Sequence, residues 1–531
     1  MTATPAATRG SSASAAPKPV YTENYKRLVL FLLVTAYTFN FIDRTIIATI
    51  GQAIKEDLKI TDTQLGLLGG LYFALLYTFL GIPLARFAER FSRVNIISGA
   101  IVIWSAFTAL CGVATNFVML AAFRFGVGVG EAGLSPPAHS LISDYYEPKK
   151  RASALAVYSF GIPLGSMLGA VIGGQILDHF TWRTAFMLVG LPGVAVAIAI
   201  KLLIKEPPRG HSEPSSPPLG EMSRSDRGGL DAGQGARPGL AEDVVPDEPA
   251  KPPATLASEF REMGAVIATL FGKWPVLNIV LGVTLVSMGG YGAGQFVPPY
   301  FLRTFHLSYG TVGLITGLAA GIGQGIGTLM GGFLTDRLAK AGPRWYALVP
   351  AIGITAAYPI LIAVFTAPTW PMAAALIVLP GIFSYTYLGP SFGIIQNMVP
   401  TYRRATATAV LFFFLNLIGL GGGPPLTGWV IDHFAAFHYL HPDQAGLLDA
   451  VKGFFSVDRS VFQAACPGGV APKAAGAAAG AACGGALALA TRQGVIVAYG
   501  LGLWAALHYL IASFGLKSAM AKARADRGEG D

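Results

Sequence analysis

The chain of 531 residues is 53% hydrophobic and only 13% charged, with a mean hydropathy of +0.54. This balance is too apolar for a soluble globular protein, so the sequence predicts an integral membrane protein. The net charge of +9 would also suit a nucleic-acid-binding protein, but the basic residues are distributed as in a membrane protein, and we expect no nucleic-acid partner.

About twelve apolar runs of 18 residues or more recur along the chain, each long enough to cross a hydrocarbon core about 30 Å thick. Backbone polar groups must be satisfied within lipid, so these runs are predicted to be helices. Alternate connections carry the basic residues: Arg86, Arg90 and Arg93; Lys149, Lys150 and Arg151; Lys201, Lys205 and Arg209; Arg337, Lys340 and Arg344; Arg403 and Arg404; and Lys517, Lys522, Arg524 and Arg527. This positive-inside pattern predicts a multi-pass cell-membrane protein with both termini in the cytoplasm. The composition, rich in small residues, indicates a bacterial protein, so the expected location is a bacterial inner membrane.

Span 1, predicted from about Arg27 to Ile50, carries polar and charged residues at membrane depth. Asn40 and Asp43 share one face of the helix because they are three residues apart, whereas Arg44 is turned about 100° from Asp43. Charges inside a membrane helix are costly, so such residues usually line a cavity and act there.

Span 4, predicted from about Phe117 to His139, contains Arg124 and Glu131 within an apolar, glycine-rich run. Residues seven apart lie almost on the same helical face, so we expect these two side chains to point the same way, with Gly128 leaving room between them. The pattern predicts a buried ion pair that serves a function.

Two glycine ladders stand in opposite halves of the chain. One lies in span 5 and the other in span 8, and their members are Gly161, Gly165, Gly169, Gly173, Gly313, Gly317, Gly321 and Gly325. A glycine stripe lets a partner helix approach closely. The ladders suit either a sliding interface between the halves or tight static packing.

Composition divides the chain into segments. We predict a disordered cytoplasmic tail (1–25), a first six-helix bundle (26–204), a Pro, Gly and Ser-rich cytoplasmic linker with a surface helix near 255–270 (205–272), a second bundle (273–516) and a cytoplasmic tail (517–531). The second bundle includes a long extracytoplasmic connection, 432–493. Cys466 and Cys483 fall in it and form either a disulfide or two free thiols.

The second half of the chain repeats features of the first at offsets of 247 to 254 residues. The matched pairs are Glu89-Arg90 with Asp336-Arg337, Pro148 to Arg151 with Pro400 to Arg403-Arg404, and Asp178-His179-Phe180 with Asp432-His433-Phe434. Three matches at similar offsets indicate duplication, so we expect an all-α membrane protein of 12 transmembrane helices in two six-helix bundles.

These residues resemble the major facilitator superfamily: twelve spans in two halves, a central linker, and the loop motif Glu89-Arg90-Phe-Ser92-Arg93. More narrowly, the chain resembles the Spinster branch through Asn40-Phe-Ile-Asp43-Arg44, Arg124 to Glu131-Ala132 and Ile162-Pro163-Leu164-Gly165-Ser166. Glu89 stands where the superfamily usually has Asp, and Ala85 where it usually has Gly.

The resemblance implies a proton-coupled secondary transporter that works by alternating access, with a cavity lined by spans 1, 4, 7 and 10. Animal members of the branch move amphipathic lipids, so a small amphipathic or lipid-like substrate is expected. An organic anion, a sugar or an exported drug is the alternative substrate class. We expect no cofactor or metal, and a monomer whose partners are its substrate, protons and membrane lipids.

The carboxylates in spans 1 and 4 are the candidates for proton coupling. Desolvation and a nearby arginine act in opposite directions on a carboxyl group, so a site where both change as the cavity opens can load and release a proton. We hypothesise that Asp43 carries the proton, Arg124 is its switching partner and Glu131 is a second titrating or substrate-contacting group. A static ion-pair network joining spans 1 and 4 is the alternative. Arg44 either binds an anionic head group or pairs with Glu131.

Further candidates come from both halves. Asn40 and Arg44 in span 1 are joined as candidate substrate contacts by polar residues of the second half: Tyr291, Gln295, Tyr300, Tyr385, Tyr387 and Asn416. Candidate cytoplasmic gating residues are Glu89, Arg90, Arg93, Asp336 and Arg337. The alternatives are ordinary packing for the former and solvated loop charges, worth about 0 to 1 kcal/mol per pair, for the latter.

Two sequence patterns point to other functions. Gly128 to Gly133 spells a dinucleotide fingerprint, but no strand precedes it, so the context is wrong. His139 and Asp144 have the spacing of an acyltransferase pair, and they alone support a lipid-modifying membrane enzyme. A sensor built on a transporter fold is a third class, and the charged residues of spans 1 and 4 disfavour it.

Overall fold

The computed structural model describes residues 21–212, 256–400 and 403–525, and these residues form helices and connections without a strand. Twelve helical segments are long and apolar enough to cross a membrane: Glu23–Leu58, Asp62–Gly81, Arg93–Cys111, Phe117–Tyr145, Ser153–His179, Trp182–Leu203, Trp274–Phe305, Tyr309–Ala339, Trp345–Phe365, Trp370–Asn397, Thr406–Leu440 and Lys473–Ala525. We number them spans 1 to 12. The predicted all-α fold with twelve spans is confirmed.

The spans begin where polar residues cap them. Side-chain oxygens accept hydrogen bonds from first-turn amides at Thr22, Thr61, Ser92, Asn116, Thr181 and Ser308. Such caps satisfy amide groups that have no partner within the helix. At the start of span 2, Thr61 and Gln64 form a reciprocal capping box.

Span 4 is broken in its middle, and the break positions a site residue. Its two helices are Phe117–Glu131 and Ser135–Tyr145. Pro136 and Pro137 follow the break in the first turn of the second helix, where their missing N–H groups cost nothing. Glu131 therefore ends a helix at membrane depth instead of lying within a continuous one.

The two ends of the bundle are distinguished by their connections. We call the end that holds the connection between spans 11 and 12 the loop side, and the opposite end, where span 6 ends at Leu203 and the central linker begins, the linker side. Span 1 runs from the linker side at Glu23 to the loop side at Leu58.

The halves meet along two seams, span 2 against span 11 and span 5 against span 8. Glycines let the backbones touch at the first seam. A Cβ on Gly66 would lie 2.3 Å from the Pro424 carbonyl oxygen, and one on Gly428 would lie 2.1 Å from the Asp62 carbonyl oxygen. Backbone atoms cannot yield as a flexible side chain can, so these positions exclude larger residues in this conformation.

The two glycine ladders have different roles. The span 8 ladder faces span 5 across the halves, since a Cβ on Gly313 would lie 2.3 Å from the Ala170 carbonyl oxygen. The span 5 ladder instead faces span 1 within the first half, where a Cβ on Gly165 would lie 2.4 Å from the Thr38 carbonyl oxygen. Gly174, one residue beyond that ladder, is the span 5 glycine that contacts span 8. Of the two ladders, the one in span 8 lies at the interface between the halves, where a sliding contact would have to be, whereas the span 5 ladder packs within the first half.

The connection between spans 11 and 12 is shorter than the range 432–493 expected from sequence. Helix Gly421–Leu440 continues past Asp432, and the last helix, Gly476–Ala525, begins well before Gln493 and extends into the predicted tail. Two short helices, Leu447–Lys452 and Arg459–Ala465, lie in the connection. Cys466 and Cys483 form a disulfide, so the free-thiol alternative is wrong.

A helix spans Leu256–Phe271, close to the predicted surface helix. Val266 and Leu270 are buried, and the Phe271 ring lies 5.3 Å from that of Phe414 in span 11. This helix therefore packs against the second bundle. The rest of the predicted linker and the outer parts of both predicted tails, namely 1–20, 213–255 and 526–531, lie outside the described residues.

Candidate substrate cavity and gates

A cavity of about 1040 Å³ lies between the halves. Its lining runs from Gln295 in span 7 to Arg404, the first residue of its helix on the linker side. The walls are largely apolar and aromatic, with polar groups from both halves. A cavity of this size and lining suits an organic molecule with an apolar body and a few polar groups.

Asp43 and Arg124 form a buried pair beside the cavity. Arg124 Nη1 donates to Asp43 Oδ1 at 3.3 Å, and neither side chain is more than 2% exposed. The Thr108 hydroxyl donates to the other carboxylate oxygen of Asp43. Arg124 also reaches the Leu68 carbonyl oxygen at 3.4 Å. Asp43 therefore joins spans 1, 3 and 4 through its two oxygens.

Glu131 pairs with Arg44, not with Arg124 as the helical spacing predicted. Arg44 Nε donates to Glu131 Oε2 at 2.6 Å, while Glu131 Oε1 is buried and has no hydrogen-bond partner among the described residues. The two pairs are thus crossed between spans 1 and 4. The prediction that Arg124 and Glu131 pair directly is wrong because arginines reach across to the neighbouring helix.

Aromatic rings surround the Arg44 guanidinium at the cavity wall. Its central carbon lies 5.0 Å from the centroid of Phe41, 4.8 Å from that of Phe73 and 4.4 Å from that of Tyr77. Each such contact contributes about 0.5 to 2 kcal/mol. The Arg44 side chain is 15% exposed, so its positive charge is fixed in position at the cavity wall.

Most predicted contacts from the second half line the cavity, and two residues predicted with them do not. The lining includes Tyr291, Gln295, Tyr385, Tyr387 and Asn416. Tyr300 is instead fully buried, where its hydroxyl donates to the Val364 carbonyl oxygen at 3.4 Å. Asn40 is also absent from the lining and is 1% exposed. Its amide N and O have no partner among the described residues.

A charged cluster joins the two halves on the loop side of the cavity, and none of its members is among the site residues predicted from the sequence. Asp62 accepts two hydrogen bonds from Arg303, at 2.7 and 3.2 Å, and one from Lys55 Nζ at 2.6 Å. Arg303 also donates to Gln52 at 2.8 Å and to Thr491 at 2.7 Å. Since Arg303 belongs to the second half and Asp62 to the first, the cluster ties the halves together. We call it the loop-side gate.

Asp432 adds a second link on the same side. Its carboxylate oxygens accept from the amides of Asp62 and Thr63 at 3.0 and 2.9 Å, at the first turn of span 2. A carboxylate is favourable at a helix N-terminus, where free amides and the helix dipole meet. Its repeat partner Asp178 lies beside the start of span 8, since a Cβ on Gly310 would be 2.3 Å from Asp178 Oδ2.

The charged residues of the loop-side gate, Lys55, Asp62 and Arg303, lie within a few residues of the end of a span, where charges are ordinarily solvated. The sequence signal for Asp432 and Asp178 is the internal repeat, which matches these two residues to each other but does not indicate what they do. Nothing local in the sequence marks Arg303 or Lys55 as buried, because their burial depends on the approach of the opposite half.

The linker-side residues do not all form the predicted gate. Arg93 is fully buried within the first half, where it donates to Asp144, to Glu206 at 2.7 Å and to Ser140 at 2.8 Å. It therefore ties span 3 to span 4 and to the start of the linker, contrary to a gating role between the halves. Asp336, Arg337 and Arg90 are exposed, and the side chain of Glu89 lies outside the described part of the structure.

The two sequence patterns for other functions have structural roles. Gly128 and Gly130 let span 4 approach its neighbours, since their Cβ atoms would lie 2.6 Å from the Phe73 carbonyl oxygen and 2.5 Å from the Trp104 amide nitrogen. Asp144 accepts from Arg93 and from the Gly210 amide, whereas His139 packs on Tyr158. His139 and Asp144 thus have different partners and do not form an acyltransferase-like pair with each other.

The sequence profile of the Major Facilitator Superfamily matches residues 33–280 and 279–440. The match covers well over half of the chain, which therefore belongs to this superfamily. The fold and the cavity between two helical bundles define a transporter of this class and not an enzyme.

Within the superfamily the chain is Spinster-like. It is 30% identical to a bacterial homologue of the human lysosomal transporter Spinster, solved in an inward-facing and unoccupied conformation, with a TM-score of 0.74 over 95% of this chain and 99% of that one. Protein spinster homolog 1 of Homo sapiens is 27% identical over 76% of this chain and 73% of its own. An MFS-type efflux pump of Mycolicibacterium smegmatis is 29% identical over 76% of this chain and 83% of its own.

Proposed function

We propose that this transporter is a proton-coupled secondary transporter of a small amphipathic or lipid-like organic molecule. The observation that carries the proposal is the crossed arrangement of two carboxylate–arginine pairs, Asp43 with Arg124 and Glu131 with Arg44, at the wall of a largely apolar cavity. A buried carboxylate next to a mobile cation can change its proton affinity when the cation moves.

The coupling step follows from the unpaired oxygen of Glu131. Protonation of Asp43 removes the charge that holds Arg124, and Glu131 Oε1 is a buried acceptor without a described partner. Arg124 and Glu131 lie seven residues apart on nearly the same face, so Arg124 can turn toward Glu131. That movement would weaken the ion pair between Glu131 and Arg44, and Arg44 faces the cavity. Proton binding at Asp43 would thus alter substrate contacts at Arg44.

An organic anion is the second candidate substrate class. The described lining of the cavity includes three arginines, Arg44, Arg124 and Arg404, and no aspartate or glutamate. The first two are paired with carboxylates behind the wall, whereas Arg404 has no ion pair among the described residues. This surplus of positive charge at the linker-side mouth favours a substrate that carries negative charge.

Orientation and gating complete the proposal. Both termini lie in the cytoplasm of a bacterial inner membrane, because the linker side carries the basic connections. The loop side then faces outward, and the closed loop-side gate makes this an inward-facing form. Arg90, Asp336 and Arg337, with Glu89, would approach one another when the linker side closes.

Transport in liposomes tests the function. Purified protein is reconstituted with a trapped pH dye, and lysophosphatidylcholine, glucuronate or a neutral sugar is added under a proton gradient. We expect one probe, the lysolipid first, to increase proton flux in protein-containing vesicles only. A conformational response to a probe without any proton or substrate flux would instead identify a sensor.

A further inference from the structure

The disulfide-bonded end of the connection between spans 11 and 12 lies across the junction of the two halves. We call residues 466–471 the strap. Its first residue, Cys466, is bonded to Cys483 in the last helix, and both cysteines are 1% exposed. The strap is thereby fixed to the second half.

Two glycines bring the strap onto span 1 of the first half. Gly468 and Gly469 have φ of +70° and +86°, a conformation that side chains other than glycine rarely adopt. A Cβ on Gly468 would lie 2.8 Å from the Lys55 carbonyl oxygen and 3.1 Å from the Lys59 Cα. The strap therefore contacts the backbone of span 1 directly.

That contact lies on the loop-side gate. A Cβ on Gly469 would be 3.3 Å from Lys55 Nζ, the atom that donates to Asp62 at 2.6 Å. Lys55 and Asp62 have side chains no more than 2% exposed. The strap covers this ion pair, and excluding water from a charged pair strengthens its attraction.

The part of the connection before the strap is also fixed to the second half. Phe462 is buried, and its ring lies 5.7 Å from that of Tyr439, near the end of span 11. Together with the disulfide, this contact anchors the strap at spans 11 and 12. When the loop side opens, span 1 must leave the strap, and Lys55 must become hydrated.

We propose that the strap is a latch for the loop-side-closed conformation, anchored by the Cys466–Cys483 disulfide and engaging the end of span 1 at Lys55. It acts across the halves, although all its covalent attachments are in the second half. The latch does not depend on the identity of the substrate or on proton coupling.

A matched pair of glycine variants tests the latch. Gly468→Ala places a methyl group against span 1, whereas Gly476→Ala places one where no atom lies within 4 Å. Gly476 also has a positive φ, of +84°, and its ψ of 171°, against 11° at Gly468, makes alanine at least as strained there, so backbone strain alone would not make Gly468→Ala the more disruptive variant. Hydrogen–deuterium exchange of the full-length protein in nanodiscs reports opening at residues 61–66 and 424–432. We expect about tenfold faster exchange there in Gly468→Ala than in Gly476→Ala. Cys466→Ser/Cys483→Ser should shift exchange in the same direction.

Two results would overturn the latch. One is faster exchange confined to 441–475 in Gly468→Ala, with the span 2 and span 11 peptides unchanged, which would make the strap a local structural element. The other is equal exchange at the seam in both glycine variants. If the double serine variant does not fold, the glycine pair still decides between these outcomes.

Discussion

Replacing Arg303 with glutamine should shift the transporter toward its loop-side-open form. Arg303 is 7% exposed and contributes two hydrogen bonds to Asp62 and one to Gln52 across the halves. Removing one partner of a buried pair costs about 3 to 5 kcal/mol because the other charge stays buried. Lys55 still pairs with Asp62, so we take about 3 kcal/mol, or roughly a 100-fold shift in the equilibrium.

The cost falls on the closed form alone, since water solvates Asp62 once the loop side opens. Spin labels on the exposed loop-side positions Thr115 and Pro368, in a Cys111→Ala background, would report the distance between the halves. The control is Arg183→Gln, which removes an exposed pair with Asp57 within the first half and should leave the distances unchanged. If Arg303→Gln gives the same distance distribution as this control, the loop-side gate does not hold the halves together.

Two further predictions concern packing and stability. Gly66→Ala should weaken the seam between spans 2 and 11 by about 1 to 3 kcal/mol, because its methyl group would meet Pro424, whereas Gly99→Ala, with no atom within 4 Å, should not destabilise the protein. Distances between the loop-side spin labels would show the difference. Identical distances in the two variants would contradict the close approach of Gly66 to Pro424. Arg93→Gln should destabilise the first half by about 3 kcal/mol, and so lower its thermal midpoint, because it leaves the buried carboxylate of Asp144 without its charged partner. Lys517→Gln, an exposed site, is its control in a thermal-shift measurement, and equal midpoints would show that the Arg93 cluster is not structural.

The sequence was sufficient for the parts of the fold that depend on single helices. Hydropathy and length identify the spans, and the motif in span 1 identifies the branch of the superfamily. The charged residues around the cavity were also found, because charges at membrane depth are conspicuous against apolar sequence. Asp43, Arg124, Arg44 and Glu131 are all placed at one site by the structure.

Pairings between helices could not be read from one sequence. Helical spacing placed Arg124 and Glu131 on one face, but the rotation of span 1 against span 4 decides that each arginine pairs with a carboxylate of the other span. The span 5 glycines are a second example, because their regular spacing does not show whether they pack against span 1 or span 8. The loop-side gate was missed because Arg303 is buried by residues more than 200 positions away.

The central claim is that Asp43 carries the proton and that its protonation releases Arg124. The most direct measurement compares wild type with Asp43→Asn in liposomes, using the probe that drives proton flux in wild type, with Asp57→Asn at the exposed Arg183 pair as the control. Asparagine imitates the protonated carboxyl group, so we predict that Asp43→Asn still exchanges substrate across the membrane but neither responds to a proton gradient nor moves protons. Full proton-dependent transport by Asp43→Asn would contradict the account.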